Sequence, residues 1–203
     1  MSADKKDTLL FTLTGPIASG KSTIAKQLAK TDPSLFLSIS TTTRTPRKGE
    51  VDGEDYFFVS EEEFQEKIKS GEFLEYAEFC GNHYGTELRN IELAGSKGKD
   101  LLLDIEVQGV EQLKLKHGEN LICVFVFPVS FAEMKSRLVT RGKDSEEQIA
   151  KRLKRAEQEV EVLKDKDFSD YFLLNDKLEL AVEQARTIVT AERLRLRADL
   201  DIS

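Results

Sequence analysis

The chain has 203 residues, 39% of them hydrophobic and 33% charged, enough for one domain with an insertion and for a core that needs no covalent staple. Its 30 Lys and Arg against 37 Asp and Glu leave a net charge of −7, and such an acidic field argues against non-specific binding to nucleic acid or to an anionic membrane. Any anionic ligand must therefore be held by a local basic cluster.

Residues 1–7 are charged and lack the apolar run of a signal peptide, and no later stretch approaches the roughly 18 apolar residues of a membrane span. A cytoplasmic protein is expected. From there apolar runs of strand length alternate with amphipathic helical stretches. Strands are expected over 8–14, 35–40, 100–105, 121–127 and 171–175, and helices over 21–30, 107–116, 131–141, 146–164 and 178–200. The run Leu121-Ile-Cys-Val-Phe-Val-Phe127 is apolar throughout, the pattern of a parallel strand covered on both faces. The alternation predicts an α/β fold, with a parallel sheet between helices. It breaks between 41 and 86, where strand-like pieces at 56–59 and 73–79 surround a helix over 61–70. Ser60 suits the start of that helix and Gly71 its stop. The expected organisation is a core of 1–40 and 87–203 with a small β-rich insertion at 41–86. A Gly142 break between two basic helical pieces predicts a helical lid over about 140–155. Cys80 and Cys123 are too few for a disulfide framework or a cysteine metal site.

Gly15-Pro-Ile-Ala-Ser-Gly20-Lys21-Ser22-Thr23 fits G-x-x-x-x-G-K-[ST] after a strand and before a helix, the context in which that motif holds phosphate. Glycines let successive backbone N–H groups converge on an anion, and the helix N-terminus adds partial positive charge. Gly15, Ala18, Ser19, Gly20, Lys21, Ser22 and Thr23 are the expected ATP ligands, with Lys21 reaching the β- and γ-phosphates. Asp104 ends the apolar run Leu101-Leu-Leu-Asp104, where such enzymes place the acid that holds Mg²⁺ and its waters. The Ser22 hydroxyl is the direct metal ligand expected, and Asp104 acts through water. In the insertion, Arg44 and Arg47 stand three residues apart in a loop bearing Pro and Gly, with Tyr56 nearby. Arginine pairs phosphate bidentately, although a solvated surface loop has the same composition.

Thr42-Thr-Arg-Thr-Pro-Arg47, Asp52-Gly-Glu-Asp-Tyr56, Gly81-Asn-His-Tyr-Gly85 and Leu103-Asp-Ile-Glu-Val-Gln-Gly109 together resemble the guanylate kinase family. The resemblance runs from about Leu10 to Thr190-Ala-Glu-Arg-Leu194, and the C-terminal Ala191-Glu-Arg-Leu194 looks most like the bacterial members. It implies ATP + GMP → ADP + GDP, with dGMP as a further acceptor, on a P-loop core with a GMP-binding lobe and a lid. By position, the GMP phosphate would meet Arg44, Arg47, Tyr56 and Tyr84. The guanine would meet Ser40, Glu75, Thr86 and Glu106, with Asp104 beside them. The lid arginines match Arg141 and Arg152, with Arg137 on the preceding helix, and Asn175 and Asp176 match the adenine-side pair. The resemblance also marks departures. Ala18 and Ile17 stand where the family has Gly and Ser, and Ala disfavours positive φ. His83 replaces an aromatic or apolar residue, and Glu106 replaces the commoner Asp.

The chemistry also stands without the family. A nucleoside monophosphate is a dianion above its second pKa of about 6, so the transfer needs no general base. Positioning and charge neutralisation are what Lys21, Mg²⁺ and the catalytic set Arg47, Arg137, Arg141 and Arg152 would supply. Guanine offers N1–H and N2–H₂ donors that one carboxylate accepts together, while its O6 and N7 suit hydroxyl donors. Two other readings share parts of this pattern. One is a kinase of another phosphorylated acceptor, which needs no guanine-facing set. The other is a non-catalytic phosphopeptide-binding module, whose mark is a degraded phosphate loop. ATP and GMP are the partners expected, and the oligomeric state stays open.

Overall fold

The computed structural model describes residues 8–79, 81–140 and 145–195. Its main sheet is five-stranded and parallel throughout, in the order β2-β7-β1-β8-β9. These strands are β1 (Leu10–Thr14), β2 (Leu35–Leu37), β7 (Asp100–Asp104), β8 (Leu121–Pro128) and β9 (Tyr171–Asn175). Side chains alternate between faces along each strand, and here both faces are apolar, because helices cover both. Phe11, Leu13, Val124 and Val126 point to the layer of α1 (Lys21–Thr31) and α7 (Leu178–Leu194). Leu10, Leu101, Leu103, Cys123 and Phe125 point the other way, to α4 (Val107–His117) and α3 (Arg89–Ser96). The Cys123 thiol lies in this second layer, and burial pushes its pKa up to about 11.

A second sheet of four strands lies between β2 and α3 in the chain, in the order β4-β3-β6-β5. It is built from β3 (Thr41–Thr42), β4 (Phe57–Phe58), β5 (Phe73–Phe79) and β6 (Asn82–Glu87), and it carries α2 (Glu61–Lys69). The Ser60 side chain accepts from the Glu63 N–H at 3.1 Å and so caps α2. Gly71, at φ 69, ends it as expected, with its N–H on the Ile68 carbonyl. Phe64 stacks on Phe73 with ring centroids 4.5 Å apart, and Leu74 on β5 enters the apolar layer of the main sheet, so the small sheet is keyed to the large one. Beyond β8, α5 (Phe131–Thr140) and α6 (Glu146–Glu161) pack together through Met134, Leu138, Ile149 and Ala156. No helix among the described residues is long and apolar enough to cross a membrane.

The structure departs from the sequence expectations at several ends. The strand expected over 35–40 stops at Leu37, and the helix expected over 146–164 becomes a 3₁₀ turn after Glu161. The strands β3 and β6 and the helix α3 are additions. Arg141, Gly142 and Cys80 lie outside the described residues.

The C-terminal Ala191-Glu-Arg-Leu194 owes its place to a clamp. Arg193 Nε bonds Asp100 Oδ2 at 2.7 Å, and its Nη2 bonds the Ser34 carbonyl at 3.3 Å. The other oxygen of the buried Asp100 accepts from the Leu9 N–H at 3.1 Å. One guanidinium thus ties α7 to the starts of three strands. Arg193→Ala leaves that carboxylate buried without its ion partner and is expected to cost about 2–4 kcal/mol of stability. Urea unfolding measures this directly, and a loss below about 0.5 kcal/mol, the range of ordinary surface changes, would show that the clamp is ornamental.

Candidate active site

The loop from β1 to α1 is shaped by its backbone. Gly15 sits at φ 138, and a Cβ there would come within 2.1 Å of the Val126 carbonyl oxygen. Gly20, at φ 92, caps α1, and a Cβ there would meet the Asn175 side chain at 2.2 Å. Ala18 also takes a positive φ, 61°, the one non-glycine to do so among the described residues. A left-handed alanine costs roughly 1–2 kcal/mol. Its methyl is buried against Met134, Leu138, Ile149 and Ala156, with Ile17 packed alongside, and this contact offsets the strain. The two departures from the family pattern are therefore adjacent parts of one apolar seam between the loop and α5–α6.

The carbonyls of this loop are drawn outward. Asn175 Nδ2 donates to the Ser19 carbonyl at 2.7 Å. Arg137 Nη1 approaches the Ala18 and Ser19 carbonyls at 3.5 and 3.4 Å, and its Nη2 donates to the Asn175 carbonyl at 3.0 Å. Glu133 Oε1 holds Arg137 Nε at 2.9 Å. The Ser19 N–H closes a turn onto the Pro16 carbonyl at 3.1 Å, and the N-terminus of α1 that follows is the end of a helix that favours an anion. Beside them lies a cavity of about 500 Å³ lined by Gly20, Thr23, Arg137, Thr140, Asn175 and Asp176. Asp176 is exposed at its edge.

Lys21 Nζ pairs with Glu106 Oε1 at 3.2 Å, just beyond the end of β7. Burial works against its charge, but Glu106 and Asp104 outweigh it, so the ammonium stays protonated well above the usual lysine range. The Ser22 hydroxyl lies close enough to Asp104 to favour its charged form, and Asp104 Oδ1 is buried with no hydrogen-bond partner. Burial raises the pKa of Asp104, and Lys21 opposes that rise. Glu159 on α6 is a further buried carboxylate in this field.

The small sheet faces the loop with two groups of side chains. Glu75 on β5 is 4% exposed and stands across the ladder from buried Thr86 on β6. Ser40 lies just before β3. Gly109 in the first turn of α4 makes room for the carboxylate, since a Cβ there would come within 2.3 Å of Glu75 Oε2. Arg44 Nη2 pairs with Glu50 Oε1 at 2.9 Å, and the guanidinium lies 5.3 Å from the Tyr56 ring centroid. Tyr84 sits edge-on to Tyr56 with centroids 6.1 Å apart. Arg47 is exposed, but its N–H donates to Glu50 Oε2 at 2.7 Å, so Glu50 organises both arginines. Glu50 and Gly109 were not singled out from sequence. The acid inside a basic loop and the glycine beside Gln108 were the available signals. Arg152 is half-buried on α6. Arg141 lies outside the described residues.

A family model described as guanylate kinase matches residues 7–192. The chain is 44% identical over 192 residues to the guanylate kinase of Halalkalibacterium halodurans, covering 95% of this chain and 92% of that protein. It is 43% identical over 188 residues to the guanylate kinase of Clostridioides difficile, covering 93% and 90%. The crystal structure of guanylate kinase from Anaplasma phagocytophilum superposes with a TM-score of 0.75 at 31% identity, over 93% of this chain and 87% of that one.

Burial raises the pKa of Glu75 to about 7; Thr86 works against that rise, and Glu106 adds to it. A carboxyl raised in the folded state above its ordinary 4.5 lowers stability as pH rises: the cost is absent below about 4.5 and complete above about 7. Glu75→Gln is therefore expected to stabilise the fold at pH 8 by on the order of 1–3 kcal/mol and to leave it unchanged at pH 4. Urea titrations at the two pH values decide this. A variant no more stable than its parent at pH 8 would refute it.

Proposed function

The chain belongs to the guanylate kinase family, and from that premise we propose that it moves the γ-phosphoryl group of ATP to GMP at the site described above, giving ADP and GDP. The observation that carries this reading is the meeting of two differently built halves. A phosphate loop with its lysine lies on one side, and a buried carboxylate with two tyrosines and an arginine lies on the other. Lys26 Nζ on α1 donates to Asp55 Oδ1 at 2.9 Å, next to Tyr56 in the insertion, and Asp104 at the end of β7 adds to the rise that burial gives the Tyr56 pKa, so the two halves meet.

On the donor side, the loop Gly15–Thr23 takes the ATP phosphates at the N-terminus of α1, and Asn175 with Asp176 borders the adenine. Arg137 keeps the loop open by holding its carbonyls. Lys21 exchanges Glu106 for the β- and γ-phosphate oxygens. The Ser22 hydroxyl and the unpaired Asp104 Oδ1 fit a magnesium ion, with Asp104 acting through water. Bound there, the ion would neutralise charge on the transferring phosphates. On the acceptor side, Arg44, Arg47, Tyr56 and Tyr84 hold the GMP phosphate. Glu75 accepts from guanine N1–H and N2–H₂, and Ser40 and Thr86 face O6 and N7. Glu106, once released by Lys21, joins them. Arg141 and Arg152, on a lid over about 140–155, close on the transferring group. The lobe that binds GMP is residues 41–86.

No residue needs to act as a base, because the GMP phosphate is already a dianion nucleophile. His83 is hydrogen-bonded to Glu61 at 3.1 Å, and His117 ends α4. Closure of the lid and the lobe excludes water that would otherwise hydrolyse ATP. The acceptor set reads phosphate and base, and dGMP, which carries both, is a further acceptor. We place the enzyme in the cytoplasm, with no nucleic acid or membrane partner, in keeping with its acidic surface.

The test is the base reader. Glu75→Gln keeps the size but presents an NH₂ group to one of the two guanine donors. Losing a charge-assisted bond and stranding a buried donor should cost about 2–4 kcal/mol. That is roughly 30- to 1,000-fold in kcat/KM for GMP. AMP should lose far less, because its N1 lone pair prefers an amide donor. A variant that handles GMP within about threefold of wild type removes Glu75 from the site.

A further inference from the structure

Helix α6 presents Arg152, Arg155 and Glu159 at helical spacing, while Ile149 and Ala156 fix the helix body on α5. Arg155 is not part of the phosphate-binding set proposed above. Its Nε donates to Glu159 Oε1 at 2.8 Å, and that carboxylate is 8% exposed. Its guanidinium lies over the ring of Phe79, 4.3 Å from the centroid. Phe79 is the last residue of β5, in the small sheet. Its ring meets Tyr84 edge-on, with centroids 6.3 Å apart and planes at 77°. Tyr84 meets Tyr56, and Tyr56 lies under Arg44. A continuous row of packed rings and cations thus joins a helix of the donor half to the cluster that faces the acceptor phosphate.

We propose that the Arg155–Phe79 contact is a latch, a pair of positioning residues that orders Tyr84 for the acceptor phosphate. The proposal rests on the reading of Tyr84 as a GMP-phosphate ligand. Several features separate the latch from a chance surface contact. The guanidinium is half-buried and oriented by a buried carboxylate, so little rotamer entropy is lost in holding it over the ring. A cation held over an aromatic face is attracted by the ring quadrupole, more strongly as water is excluded, and here it is partly excluded. The aromatic partner also spans from the helix to the phosphate cluster, whereas an aliphatic side chain at 79 would touch the helix and present no edge to Tyr84. Pre-ordering a binding side chain improves affinity by removing the cost of ordering it on binding. The effect therefore falls on the acceptor, although Arg155 sits on a helix of the donor half.

Isothermal titration of the intact protein with GMP, and separately with ATP, tests this in Phe79→Leu, Phe79→Trp, Arg155→Ala, Tyr84→Phe and the double variant of 79 and 155. Phe79→Leu is expected to weaken GMP binding about three- to tenfold, in line with a half-buried cation–π contact, and to leave ATP binding within about twofold. Phe79→Trp should keep GMP binding near wild type, which a general packing defect would not allow. Arg155→Ala should add little to Phe79→Leu, because the two share one contact. In steady state the loss should appear in KM for GMP with kcat nearly unchanged. If Tyr84→Phe weakens GMP while Phe79→Leu does not, the latch is overturned and the Tyr84 reading stands. If Tyr84→Phe binds GMP as wild type does, the reading of the phosphate site fails and the latch falls with it. Equal weakening of GMP and ATP by Phe79→Leu would also overturn the latch, since that is the mark of general destabilisation.

Discussion

The site depends on the parallel pairing of β1 with its two neighbours. Leu13 stands opposite Asp104 on β7, and Thr14 stands opposite Phe125 on β8. Because the strands run the same way, the phosphate loop leaves the sheet beside the acids that end β7, while Asn175 ends β9 at the same edge. Ligands of open α/β sheets bind at this carboxyl edge. Lys21 could not meet Glu106, nor Ser22 meet Asp104, in a different register. A slip of one residue would also turn every side chain of β1 to the opposite helix layer, so the two apolar faces of the strand enforce the geometry of the charged end.

The working parts carry local costs that packing elsewhere meets. Ala18 is held in a left-handed conformation, and Glu75 is buried in a place that resists its ionisation. Both are sites where an unfavourable local state presents something a ligand needs. At Ala18 it is the turn that leads into the N-terminus of α1, and in the proposed reading it is at Glu75 a carboxylate for a base. The seam of Met134, Leu138, Ile149 and Ala156 supports the first, and the close approach of β5 to α4 at Gly109, held by Gln112 on the Tyr76 backbone, supports the second. Such strain is characteristic of functional sites embedded in an over-determined scaffold.

Much of this was legible in the sequence, for physical reasons that differ by element. The parallel strands are apolar on both faces and short, so they announce themselves. The phosphate loop is a local motif whose glycines must sit where a Cβ would collide. The strand Asn82–Glu87 was not foreseen, because Asn-His-Tyr-Gly-Thr-Glu has no apolar alternation. It is a strand through its pairing with β5, and Gly85 is the residue that lets the Phe73 ring lie against it. The helix Arg89–Ser96 was missed for a similar reason: it is short and contains Gly95. Arg137 shows the limit at the level of a site. Sequence position marked it as a cation near the transferring phosphate, but only the fold brings it onto the Ala18 and Ser19 carbonyls. The register between Phe79, Arg155 and Tyr84 depends on the mutual placement of a helix and a sheet remote in the chain, which no local pattern encodes.

A kinase of GMP needs a phosphate loop on one side and a reader of guanine on the other, the two halves proposed for this chain. The most direct measurement is coupled ADP release by the wild-type protein with ATP and, in turn, GMP, dGMP, AMP and a ribose bisphosphate. A site that pairs a buried carboxylate with guanine donors should favour GMP over AMP in kcat/KM by on the order of 10³ or more, with dGMP close to GMP and the ribose bisphosphate inactive. Turnover of AMP or of the ribose bisphosphate within about tenfold of GMP would contradict the claim.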